Sequence, residues 1–190
     1  MPKPKKGIKV DLVPYEPSHA EAMYRWFYDY KYAAFFREFE DLPYTVEDFR
    51  SYGEALKGGG GELFTLIDKE KNSPIGLMTY SCLKRKAGVY RFGIMLDAAY
   101  QHNTYAIEGI ILLAFYLFEN KGCQKYAIEF LASDKHIQRI AEKGGFEFEC
   151  LLKNEALVNG EYVDEVRYYF PKEKAYGFYG EYHAALESAD

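Results

Sequence analysis

The residues best placed to do chemistry lie in one run, Arg91-Phe92-Gly93-Ile94-Met95-Leu96-Asp97-Ala98-Ala99-Tyr100-Gln101-His102-Asn103-Thr104-Tyr105-Ala106-Ile107-Glu108. It reads as a strand, a tight loop and the start of an apolar helix. The first amides of a helix have no intrahelical partner and carry its positive end, so a loop feeding a helix is a ready anion site. Tyr90, Tyr100 and Tyr105 flank this strand and loop, where a phenol of shifted pKa would serve as a proton donor. His136, on the short helix, offers an imidazole that would serve as acid or base. Packing on an aromatic sheet, for the tyrosines, and a solvated helix surface, for the histidine, are the plainer readings. Cys82, Cys123 and Cys150 are scattered without a CxxC pair, so neither a zinc site nor a disulfide framework is signalled, and no metal is expected.

The elements that must position this run can be read on either side of it. Ile8, Val10 and Leu12 alternate as in a half-buried strand, and Ala22, Met23, Trp26, Phe27 and Tyr30 follow helical spacing from a cap at Ser18. Thr45-Val46-Glu47-Asp48 places an acid three residues after a capping hydroxyl, which predicts a helix to about Leu56, broken by Gly58 to Gly61. Leu63 to Asp68, Pro74 to Leu83 and Gly88 to Leu96 form an antiparallel meander. The helix from Thr104 to Asn120 stops at Lys121-Gly122; Gln124 to Leu131 is a buried strand, and Asp134 caps a short helix to Lys143. Phe146 to Leu152 and Glu165 to Phe170 close the sheet.

In this setting Gln101, Thr104 and Ala106 resemble the acyl-CoA pyrophosphate loop of the GNAT superfamily of N-acetyltransferases, whose pattern is Gln or Arg, two residues, Gly, one residue, then Gly or Ala. Gln101 and Ala106 match; Thr104 stands at the glycine. Three further stretches resemble the ribosomal-protein and polyamine acetyltransferase branch: Phe118-Glu119 with Gly122, Glu142 to Glu147, and Val158 to Asp164. The resemblance runs from about Ile8 to Phe170. It implies an α/β (α+β) GNAT fold, with a mixed, mostly antiparallel seven-strand sheet and about four helices, split between Gly88 to Leu96 and Gln124 to Leu131. It also implies acetyl-CoA as cofactor, held by Ile94, Leu96, Gln101, His102, Asn103, Thr104, Tyr105, Ala106 and Asp134.

The resemblance has gaps at the chemistry. Relatives often carry a Glu where Arg91 stands and a Tyr where Ala141 stands, leaving Tyr90, Tyr105 and His136 as nominated catalytic groups. His102 and Asn103 fall where related loops commonly have Gly and Lys. Glu108 matches a frequent family glutamate, but the helix dipole alone accounts for an acid in a first turn. A glycine at position 104 would let backbone approach phosphate without a Cβ; the Thr104 hydroxyl would either bond a phosphate itself or, with Asn103, cap a structural helix.

With 190 residues and 48% hydrophobic content the chain buries one sizeable core. A formal charge of −5 argues against sequence-independent nucleic-acid binding, and the apolar run Ala106 to Phe118 is too short to span a bilayer. A reducing cytoplasm is the expected compartment. Residues 1–7 form a basic tail expected to be disordered, 8–170 the domain and 171–190 an aromatic extension with Tyr176, Phe178, Tyr179, Tyr182 and Leu186. Such apolar area predicts order through contacts, either on the chain's own domain or on a partner or oligomer. Two functions remain open: acetyl transfer from acetyl-CoA to a primary amine of a protein N-terminus, a polyamine or a small metabolite, or a non-catalytic GNAT-fold module in a larger assembly, such as a virion or other multi-protein particle.

Overall fold

The computed structural model describes residues 5–28, 45–58, 60–101, 104–158 and 160–187. Its strands are β1 (Lys5–Lys6), β2 (Val10–Pro14), β3 (Glu62–Asp68), β4 (Ser73–Lys84), β5 (Val89–Leu96), β6 (Lys125–Leu131), β7 (Glu147–Val158) and β8 (Glu161–Pro171). Its helices are α1 (Ala20–Tyr28), α2 (Val46–Gly58), α3 (Tyr105–Asn120), α4 (Lys135–Lys143) and α5 (Lys172–Glu187). The strands form one sheet in the order β1-β2-β3-β4-β5-β6-β8-β7. Every neighbouring pair is antiparallel except β5 with β6.

Alternation along the strands sends side chains to two separate cores. On one face Val10, Leu12, Phe64, Leu66, Met78 and Phe92 pack against the apolar stripe of α3. On the other, Leu63, Leu77 and Met95 meet Met23, Trp26 and Phe27 of α1 and Phe49 of α2. The close seating of α3 depends on Gly109, where an added Cβ would lie 2.9 Å from a Leu66 methyl. The cap expected for α2 is present and reciprocal: the Asp48 amide donates to Thr45 Oγ1 at 3.2 Å and the Thr45 amide to Asp48 Oδ2 at 2.9 Å.

The meander and the mixed, mostly antiparallel sheet match the sequence reading, and several details do not. Among the described residues the sheet has eight strands, not seven, because Lys5–Lys6 pair with Asp11 and Leu12. The end of the basic tail is thus ordered: Lys5 pairs with Glu119, and the amide of Gly7 donates to Asp11 Oδ1 at 3.1 Å. A two-residue strand is too short to show alternation. Among the described residues five helices replace about four, since the aromatic extension forms α5. The first strand starts at Val10 rather than Ile8, which is exposed, and the last hairpin is longer than expected at both strands. Residues 1–4, 29–44 (with Tyr30 of the expected first helix), Gly59, His102, Asn103, Asn159 and 188–190 lie outside the described residues.

The extension packs on its own domain. Ala175 is buried, Tyr176 meets Phe115 edge-on at 5.3 Å, and Tyr179 stacks on Phe170 at 5.2 Å while its hydroxyl donates to the Gly144 carbonyl. Of the two receivers weighed for this tail, the contacts are those of the chain's own domain.

Candidate functional site

The site begins where β5 and β6 part. Their parallel pairing covers Val89, Tyr90 and Arg91 against Lys125, Tyr126 and Ala127, and stops there. From Phe92 to Leu96, β5 continues with β4 on one side only, while Ile128 to Leu131 of β6 continue against β8. The base of the opening is closed on the α3 face by rings, with Phe92 stacked on Tyr126 at 4.1 Å and Phe146 beside both. Beyond them the β5 edge that carries Ile94 and Leu96 borders the opening with no strand paired to it among the described residues. An extended molecule with amide groups fits such an edge as a further strand would.

At the mouth of the opening the chain turns into α3. Asp97 organises that turn: its carboxylate accepts from the Ala99 amide at 3.0 Å and from Trp26 Nε1 at 2.9 Å, tying α1 to the loop. Gln101 Nε2 donates to the Leu96 carbonyl at 3.3 Å. Thr104 precedes α3 with an ordinary helical backbone (φ −73°) and makes no side-chain cap. Its Oγ1 instead accepts from Lys9 Nζ at 2.8 Å. The first-turn amides of α3, which a helix cannot satisfy internally, thus have no cap from Thr104. Tyr105 and Tyr100 pack edge to face at 5.1 Å, and Lys71 Nζ donates to the Tyr100 hydroxyl at 2.9 Å. Burial, and then the negative charge of Asp68, push the Tyr105 phenol up, away from ready proton loss.

Glu108, one turn into α3, is spent on structure. It is 5% exposed, and its Oε1 accepts the backbone N–H groups of Ile8, Lys9 and Val10 at 2.5, 2.8 and 3.3 Å. Asp134 is likewise a helix cap, accepting from the amides of His136 and Ile137. Because α4 follows the end of β6, its first turn, with an exposed His136, stands at the open end of the split.

Tyr90 is not brought to this place. It sits at the paired start of β5, about 20 Å along the strand from Leu96, and its hydroxyl donates to the Lys121 carbonyl at 3.0 Å. There it lines a separate cavity of about 190 Å³ with Glu62, Tyr80, Cys82, Arg85 and Lys121. Burial first, then the neighbouring Cys82, raises its pKa.

The residues lacking from the family pattern have structural occupants. Arg91 and Arg167 both bind Glu129, whose side chain is 5% exposed, so a carboxylate does stand beside position 91 but comes from β6 and is held by two guanidinium groups. Ala141 is buried in the core, where a tyrosine ring would overfill the space. Neither Lys9 nor Glu129 carried a local sequence signal. Lys9 is 95 residues from Thr104 and Glu129 is 38 from each arginine, so only the fold brings these groups together. No group of three or more metal-ligating side chains occurs among the described residues.

Comparison with known proteins agrees with this architecture. Residues 9–147 match a family model described as an acetyltransferase (GNAT) domain. A GCN5-related N-acetyltransferase from Brucella melitensis superposes with a TM-score of 0.80 at 22% identity, covering 98% of this chain and 86% of that one. A spermidine N-acetyltransferase from Vibrio cholerae, in complex with CoA and spermine, gives 0.77 at 18% identity over 88% and 98%. A ribosomal-protein alpha-N-acetyltransferase in complex with coenzyme A gives 0.72 at 14% identity over 89% and 98%. No curated protein matches the chain by sequence.

Proposed function

The chain belongs to the GNAT acetyltransferase family, and from that premise we propose that it transfers acetyl from acetyl-CoA to a primary amine of a protein N-terminus, a polyamine or a small metabolite. The observation that carries this reading is the parting of β5 from β6 after Arg91, with the α3 N-terminus at the mouth of the opening. The residues present fit the cofactor: a strand edge for the pantetheine amides that no described strand pairs, and first-turn amides that the Thr104 side chain does not cap for the phosphates.

Acetyl-CoA would supply an activated acyl carbon and a thiolate leaving group. The chain's part is to hold both reactants. Phe92 to Leu96 bind and orient the extended arm, the amides following Thr104 bind its diphosphate, and the packed rings of Phe92, Tyr126 and Phe146 keep water from the base of the cleft. Holding a thioester against a neutral amine supplies much of the acceleration through proximity. An arm laid this way would bring its thioester to the Phe92 end of the opening, so Tyr105 and His136, at the starts of α3 and α4, would lie with the diphosphate. Tyr90 is nearer along the strand but has its hydroxyl on the Lys121 carbonyl.

One observation favours the second reading, a non-catalytic binding module: the carboxylate beside Arg91 is committed to two arginines and Ala141 has no phenol to offer. Release of free thiol from acetyl-CoA in the presence of spermidine, peptides with free N-termini and simple amines separates the two. Amine-dependent release supports transfer; CoA binding without release under any amine leaves the binding module.

A further inference from the structure

Lys9 enters β2 far from the loop in sequence, yet its ammonium reaches the residue from which α3 starts, 2.8 Å from Thr104 Oγ1 and 5.9 Å from the centre of the Tyr105 ring. A cation at the positive end of a helix has the wrong sign for stability, and the arrangement is relieved when an anion lies between the ammonium and the first-turn amides. The placement of Lys9 is also fixed. Its own N–H donates to Glu108 Oε1 at 2.8 Å, the same oxygen that takes the amides of Ile8 and Val10, so the backbone bearing Lys9 is pinned to the first turn of α3. Lys9 also lines a cavity of about 250 Å³ with Ile8, Asp68, Lys69, Glu70 and Tyr105. Two carboxylates, Asp68 and Glu70, share the cavity with the ammonium groups of Lys9 and Lys69, and Asp68 is turned to the amides of Glu70 and Lys71 at 2.9 and 3.3 Å.

Resting on the reading of the cleft as an acyl-CoA site, we infer that Lys9 is a ligand for the diphosphate of coenzyme A. It supplies, from the entry to β2, a cationic donor at the loop position where Thr104 replaces glycine. Thr104 Oγ1 holds the ammonium ready in the free protein, and the diphosphate takes over that bond on binding.

Titration calorimetry on the full chain and on Lys9→Met, with CoA, 3′-dephospho-CoA and pantetheine as probes, tests the assignment. Loss of one charge-assisted hydrogen bond weakens CoA binding about ten- to hundredfold. The same loss is expected with 3′-dephospho-CoA and none with pantetheine, which has no diphosphate. Lys9→Arg recovers most of the affinity, Lys153→Met on exposed β7 changes nothing, and Lys9→Met binds CoA with a shallower dependence on salt. Lys9 is exposed, so the variant should melt with the wild type. Unchanged CoA affinity in Lys9→Met overturns the inference. So does a loss that vanishes with 3′-dephospho-CoA, or one that persists with pantetheine. A wild-type chain with no affinity for CoA instead overturns the reading of the cleft, and the inference with it.

Discussion

Thr104 and Glu108, one turn apart, show how differently neighbouring polar residues are used. Thr104 is exposed and unstrained, so Thr104→Gly removes a Cβ from the phosphate path without disturbing the helix and is expected to bind CoA at least as tightly as wild type. A weaker titration would show that the hydroxyl, not the space, matters. Glu108 is the opposite case. Glu108→Ala leaves three backbone N–H groups without their acceptor, and we expect a loss of about 2–4 kcal/mol in denaturant unfolding. The first-turn position of Glu108 was legible in the sequence as a dipole effect; its partners were not, because they lie about a hundred residues away in β2. The same holds for Arg91, whose departure from the family pattern was visible while its pairing with Glu129 was not.

Among the elements, α5 illustrates what composition reveals and what it withholds. Its aromatic residues predicted contact, but only the fold shows that Phe115, Phe170 and the Gly144 carbonyl receive them. Removing residues 172–190 keeps every strand intact and exposes those rings. We expect a cost of about 3 kcal/mol or more, hence a melting temperature lower by roughly 6–12 °C, with no change of mass in light scattering. A change of mass would place the extension in an assembly contact. The turn before α1 carries a pH dependence. His19 Nδ1 accepts from the Glu16 amide at 3.2 Å and lies 2.9 Å from Thr65 Oγ1; burial lowers its pKa below the ordinary 6.5, against the opposing pull of Glu16. The unfolded chain therefore takes the proton first, so this contribution is complete above about pH 6.5 and is lost as pH falls below it. Melts from pH 8 to 5 should fall more steeply for wild type than for His19→Gln, and parallel curves would remove His19 as the cause.

For the whole molecule, the order of elements made the fold readable, because a strand, two helices, a three-strand meander and a crossover helix leave few ways to build one sheet. The parting of β5 from β6 was expected from the resemblance and is present. What could not be read was which side chains meet across that sheet, since Lys9, Glu129 and Tyr179 find their partners through packing and not through spacing. The central claim is that the unpaired half of β5 and the start of α3 form an acyl-CoA cleft. Hydrogen–deuterium exchange with and without saturating acetyl-CoA tests it most directly, because amides facing an empty strand edge exchange unless a ligand covers them. The account predicts slowed exchange in peptides spanning Phe92–Leu96 and Gln101–Glu108, with β7 and α2 unchanged. Unaltered exchange in both peptides at millimolar acetyl-CoA would contradict it.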